Sequence, residues 1–162
     1  MVGSLASTAL IVVGCAKVTS GSASVDSPAA AAYRTSVSVS VAASISSAKA
    51  EAAKSSCTAL INTAGDAIDG VNAYVSAYNN DGDFQAKSQA AIDALNHSAD
   101  VISQGNNADL SPDLGKALDG WVTATKTMVT AISTNADTDA FNDAVHQLND
   151  AKAVVLALCD GH

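Results

Sequence analysis

A chain of 162 residues with 48% hydrophobic content has material for one hydrophobic core, since a single core serves chains of about 100–200 residues. Much of that apolar content is alanine, aromatics make up 4% and there are two prolines, a balance that favours helix. Sixteen acidic against eight basic residues give a formal charge of -8; such a surface repels nucleic acid and anionic headgroups, and acids scattered singly, all of them Asp except Glu51, read as a solvated face.

From Leu5 to Val13 the chain is apolar or small, too short for the ~20 residues that span a bilayer as a helix and long enough for the apolar region of a signal peptide. The run ends in Val12-Val13-Gly14-Cys15. This resembles the bacterial lipobox, with an aliphatic residue three before the cysteine, a small or β-branched one next, then Gly or Ala. The resemblance implies that residues 1–14 are a signal peptide cleaved after Gly14, that Cys15 receives diacylglycerol, and that the protein is held on the outer face of the cell membrane. Two acyl chains hold a protein stably, at about 0.8 kcal/mol per buried CH₂. Met1-Val2-Gly3-Ser4 carries no Lys or Arg although a signal peptide starts basic, so either translation begins upstream, the preferred expectation, or the α-amino group alone supplies the positive charge. The competing reading is a buried hydrophobic segment with a chance Gly-Cys, but more core should then follow. Ala16-Lys17-Val18-Thr19-Ser20-Gly21-Ser22-Ala23-Ser24 follows instead, a polar, flexible stretch of tether type.

Residues 15–46 are expected to be the lipidated cysteine and a Ser/Ala/Val-rich tether, helical in part. Ser36-Val37-Ser38-Val39-Ser40-Val41 alternates with period two, the pattern of a half-buried strand, yet no second strand is available to pair with it. Val37, Val41 and Ile45 also recur every four residues. The same letters therefore fit a helix entered somewhere between Tyr33 and Ser47, with tether as the alternative.

Residues 47–162 predict an all-α domain, an antiparallel up-down four-helix bundle. Cys57, Leu60, Ala64, Ala67, Val71, Tyr74 and Tyr78 step by three and four, with Ile61, Ile68 and Val75 beside them. Asn79-Asn80-Asp81-Gly82 ends this helix and Asp83 caps the next, whose seam is Phe84, Ser88, Ala91, Leu95, Ser98 and Ile102, stopping at Gly105. Ser111-Pro112 supplies N-cap and first turn for a third helix, with Leu114, Ala117, Trp121, Ala124, Met128 and Ala131 inward. Residues 134–138 break it, and Phe141, Ala144, Leu148, Ala151, Val155 and Leu158 form the fourth seam, with Asp139 facing the positive end of the dipole. Segments of about 20–25 residues span roughly 30–37 Å, and short loops between equal helices make neighbours antiparallel.

That topology puts the start of the first bundle helix and the end of the fourth together, and Cys57 and Cys159 occupy those places. With Cys15 lipidated, the two others are left to form a disulfide; two buried thiols are the alternative. Seams place His97 and His146 on outer faces, and His162 is the last residue, so no metal set converges as a bundle site requires. Asn79 to Asp83 has the oxygens of a calcium loop, but with Gly82 at its sixth place the first and twelfth positions would be Ala77 and Ser88, neither a carboxylate. No glycine-rich phosphate loop and no inward base for a Ser or Thr nucleophile is found. The expectation is a non-enzyme without cofactor. Trp121, Tyr74 and Tyr78, apolar bodies with polar tips, are either core or the lining of a crevice for a small apolar ligand, and the many alanines of the seams argue for close helices and little empty volume.

The order of parts, lipobox cysteine, Val-Thr-Ser-Gly tether and Ala-rich helical domain with two further cysteines, resembles small lipoproteins of mycobacteria and related actinobacteria. The resemblance implies a cell-envelope protein, a membrane contact through the lipid anchor, and a bundle that meets another envelope protein or a cell-wall component. A carrier or sensor with a crevice near Trp121 is the second expectation.

Overall fold

The computed structural model describes residues 27–80 and 82–160, which form α1 (Ser27–Asn79), α2 (Phe84–Gly105), α3 (Pro112–Ser133) and α4 (Thr138–Cys159), with no strand among the described residues. The expected signal peptide, Cys15 with its lipobox, and His162 lie outside them. The chain divides into two units, residues 1–38 and 39–162.

In the first unit the described residues are the opening of α1. The helix begins at Ser27, earlier than the window between Tyr33 and Ser47 in which the pattern predicts its entry. Pro28 sits in the first turn, where its missing N–H has no partner to lose, and Ala29 to Ala32 are the strongest of helix formers. Thr35 Oγ1 donates to the Ala31 carbonyl at 3.0 Å, Ser36 Oγ to Tyr33 at 2.8 Å and Ser38 Oγ to Thr35 at 2.8 Å. The hydroxyls that compete for backbone in other conformations are thus absorbed by the helix itself, and the strand-like alternation loses its force.

In the second unit α1 runs on from Val39, exposed through Glu51. Val41 and Ile45, whose spacing suggests a buried face, are 51% and 52% exposed. Burial starts at Ala53 and continues through Cys57, Leu60, Ala64, Ala67, Val71 and Tyr74, the expected stripe. Ile61 and Tyr78 depart from it, both exposed. At 53 residues α1 is also longer than its expected 20–25, whereas α2, α3 and α4 have 22 each.

The caps follow sequence chemistry. Asp83, Ser111 and Asp137 each accept a backbone N–H of the first turn, from Ala86, Leu114 and Ala140, satisfying donors that a helix start leaves open. After α3, Asn135 takes a left-handed φ of 49°, while Asn135 N–H donates to Ile132 and Ala136 N–H to Ala131; this is a Schellman stop with Asn in place of Gly. Gly82 donates its N–H to the Ala77 carbonyl, and a Cβ there would stand 3.2 Å from Ala77 Cα, a close approach that favours glycine.

The short loops make an up-down-up-down ring. Helix α2 packs on α3 and α3 on α4. Helix α1 meets α2 where Gly70 lies so close that an added Cβ would stand 3.1 Å from Ala91 Cα, the close approach that small residues allow. It meets α4 at the Cys57–Cys159 disulfide, whose Cα atoms are 5.8 Å apart. The bridge expected between these cysteines is present, at the end of the bundle where the packed part of α1 starts and α4 finishes.

Candidate functional site

Three expected site residues, Trp121, Tyr74 and Tyr78, occupy different levels of the bundle. Trp121 is fully buried, and a buried indole N–H needs an acceptor. Its Nε1 donates to Ser98 Oγ at 3.1 Å, and Ser98 Oγ lies 3.0 Å from Thr63 Oγ1, which itself donates to the Ala59 carbonyl at 2.9 Å. With the Thr63 proton committed, the Ser98 proton must go to Thr63. A one-way chain therefore runs from α3 through α2 to α1. No buried side-chain nitrogen or oxygen among the described residues lacks a partner. Trp121 is core in this setting, and the crevice expected beside it is elsewhere.

That crevice lies at the end of the bundle remote from the disulfide, where α1 ends and α4 begins. At ~1.5 Å rise per residue, Tyr74 stands about 16 Å along α1 from Thr63. Tyr74 is buried, with its ring centroid 5.1 Å from Phe84 and 5.6 Å from Phe141, so one ring from α1 is held between one from α2 and one from α4. Tyr78, a turn later, has its centroid 5.7 Å from Phe84 and is 68% exposed. A cavity of about 500 Å³ opens beside these rings, lined by Tyr74, Tyr78 and Phe141 together with Asn79, Asn135, Asn142, Asp137 and Thr138. A second, of about 340 Å³, lies against Ala77, Tyr78, Gly82 and Phe84. Tyr78 lines both.

The periodicity in the sequence marks Tyr74 and Tyr78 as one seam but is blind to depth along the axis, which is what separates them from Trp121. The polar lining went unrecognised because Asn135 and Asp137 read as helix punctuation, which they are as well. The available signal was the clustering of Tyr74, Tyr78, Phe84 and Phe141 at helix ends that an up-down topology brings together.

Burial pushes the Tyr74 phenol above its ordinary value of 10.0, and the Tyr78 phenol beside it adds to the rise. Between 10.0 and that raised value the unfolded chain has released a proton that the folded one keeps, so stability, complete below 10.0, is lost as pH rises through the window. Urea midpoints measured from pH 8 upward should fall more steeply above pH 10.0 in the natural protein than in Tyr74→Phe. Parallel curves would mean that Tyr74 ionises as freely as in the unfolded chain.

His97 and His146 are exposed, as their outer positions suggest. Among the described residues no group of three His, Cys, Asp or Glu side chains is placed to hold a metal ion, and no helix is long and apolar enough to cross a membrane.

Residues 39–160 match the family model described as the Rv2240c four-helix bundle domain. The chain is 41% identical over 168 residues to a Mycobacterium tuberculosis (strain CDC 1551 / Oshkosh) protein called Uncharacterized protein MT2300, an alignment covering 97% of this chain and 86% of that protein. No solved structure matches. The family match starts where the second unit starts and takes in both bridged cysteines, the Trp121 chain and the aromatic end; this protein belongs to the Rv2240c four-helix bundle family.

Proposed function

We propose that the protein is a lipid-anchored component of the cell envelope, held outside the membrane through Cys15, whose bundle is a non-catalytic binding module for another envelope protein or a cell-wall component. The observation that carries the binding part is Tyr78, a large side chain left 68% exposed that lines two cavities. Aromatic side chains with a polar tip are favoured at contact surfaces, where they bring much area at small entropic cost. The address rests on Val12-Val13-Gly14-Cys15, and the Cys57–Cys159 bridge agrees with it because disulfides persist in oxidising compartments.

The test is the intact mass of the protein extracted from membranes, before and after reduction. The expected result is two acyl chains and a glyceryl group on the Cys15 peptide and a gain of two hydrogens on reduction. A Cys15 peptide without acyl mass overturns the anchor. A photoreactive group introduced at Asn142 then reads the binding module in intact cells, and a cleft that captures nothing there overturns that part.

A further inference from the structure

The cleft at the aromatic end has a composition that selects among ligands. Among the described residues its lining contains no Lys, Arg or His, so an anion finds no counter-charge there. Asp137 is the one carboxylate among the described lining residues, and its Oδ1 already accepts the Ala140 N–H at 2.9 Å as helix cap. A cation would find one open ring, that of Tyr78, and no cage of several rings, because the Tyr74 ring packs against Phe84 and Phe141. A wholly apolar ligand would cover amides and leave them unpaired, which is costly.

What remains on offer, beside the apolar Val75, Ala136 and Phe141, is one exposed ring and several uncharged polar groups. Tyr78 leans on Phe84 at 53° between ring planes and keeps the rest of its surface open. The side chains of Asn79, Asn135 and Asn142 line the same cavity, and none makes a side-chain hydrogen bond to another described residue. A planar amide carries a donor and an acceptor side by side, the match for two neighbouring hydroxyls. The free Asp137 oxygen adds an acceptor and Thr138 a hydroxyl. A ligand with an apolar C–H face for the ring and hydroxyls around its rim satisfies every one of these groups, and that is a sugar ring. The larger cavity, at about 500 Å³, lies within the range of small-molecule sites, and Tyr78 also lines the second one, so adjoining rings of a chain can both reach the tyrosine.

We propose that the aromatic end of the bundle is a binding site for a neutral oligosaccharide, with Tyr78 as its stacking platform and Asn79, Asn135 and Asn142 reading its hydroxyls. This rests on the reading of the bundle as a binding module and names the chemistry of what it binds.

The experiment is calorimetric titration of the full chain with maltohexaose, mannohexaose, chitohexaose and arabinohexaose, beside a proline-rich and a lysine-rich peptide. At least one hexasaccharide should bind saturably. Loss of the stacked ring should weaken that binding about tenfold or more in Tyr78→Ala, the equivalent of about 1.4 kcal/mol, while Tyr78→Phe, which keeps the ring, stays within about twofold. Asn142→Ala should lose severalfold through its hydroxyl contacts. Tyr78 is exposed, so Tyr78→Ala should fold as before, and an unchanged far-ultraviolet spectrum and urea midpoint confirm it. Absence of hexasaccharide binding, equal affinity in Tyr78→Ala, or competition-proof binding of a peptide in the sugar's place would each overturn the proposal. A protein captured from Asn142 with no sugar bound sinks the sugar and leaves the binding module standing. A missing acyl mass removes the anchor and does not touch this titration.

Discussion

Removal of the Cys57–Cys159 bridge should cost the folded state about 4–5 kcal/mol by the chain-entropy model, because the two cysteines are 102 residues apart. The closed loop takes in nearly the whole bundle, from the first packed turns of α1 to the end of α4. A reduced unfolded chain recovers all the freedom that this loop denies it. Against a total of about 5–15 kcal/mol for a domain of ordinary stability, that is the largest single contribution this protein receives from one covalent feature. The measurement is urea unfolding of Cys57→Ser/Cys159→Ser, in a Cys15→Ser background so that no third thiol exchanges, against the same background with the bridge intact. Adding reductant should move the bridged protein to the midpoint of the double variant and leave the double variant where it is. Equal midpoints before and after reduction would show that the unfolded chain gains nothing from being opened.

Trp121→Ala is expected to cost about 3–5 kcal/mol, the range for emptying a large buried site, since Trp121 is fully buried in a core of mostly smaller side chains. Alanine-lined neighbours cannot grow into the space, and helices already in close contact have little room to collapse further. Part of the Trp121 contribution is directional and can be isolated. Ser98→Ala leaves the indole N–H buried without an acceptor, at about 1–3 kcal/mol. Trp121→Phe removes that N–H and returns Ser98 to a single bond with Thr63. If the hydrogen bond couples the two sites, Ser98→Ala/Trp121→Phe should be less damaging than the sum of the single variants. Simple additivity in urea unfolding would show that Ser98 and Trp121 act independently.

The part of the fold that was legible from sequence is the part governed by one rule. Every seam residue expected inward on α3, from Leu114 to Ala131, is buried, and Ser111-Pro112 and Asp83 cap where their chemistry says they should. The residues that misled are those at which two rules compete. The Ser-Val alternation around residue 38 fits both a strand and a helix, and the hydroxyl-to-carbonyl bonds that decide for helix are invisible as letters. Ile61 is apolar and next to the seam, yet it stays 57% exposed, because a stripe narrowed by alanine has no width for it. Thr63 looks like a surface residue, Ser98 falls on the expected seam without a visible partner, and the Trp121 indole explains why both hydroxyls are inside. In the cleft, the aromatic residues were readable as seam positions, whereas Asn135 and Asp137 join them through the turn between α3 and α4, and Asn142 from beside Phe141 in α4.

The alanines that let these helices lie close have a second effect. A seam of equal small knobs is almost the same after a shift of one turn, so apolar contact alone gives little preference among several axial alignments. The chain from the Trp121 indole through Ser98 and Thr63 to the Ala59 carbonyl removes that degeneracy. Slide α2 by one turn, about 5.4 Å, and the indole faces a side chain that cannot accept, Ser98 loses both its partners, and Thr63 keeps only the Ala59 carbonyl. Three polar side chains thus act as a detent, clicking an otherwise smooth rack of alanines into one notch. The same notch keeps Tyr74 of α1 and Phe84 of α2 level with one another at the far end, so that side of the cleft is fixed from the middle of the bundle.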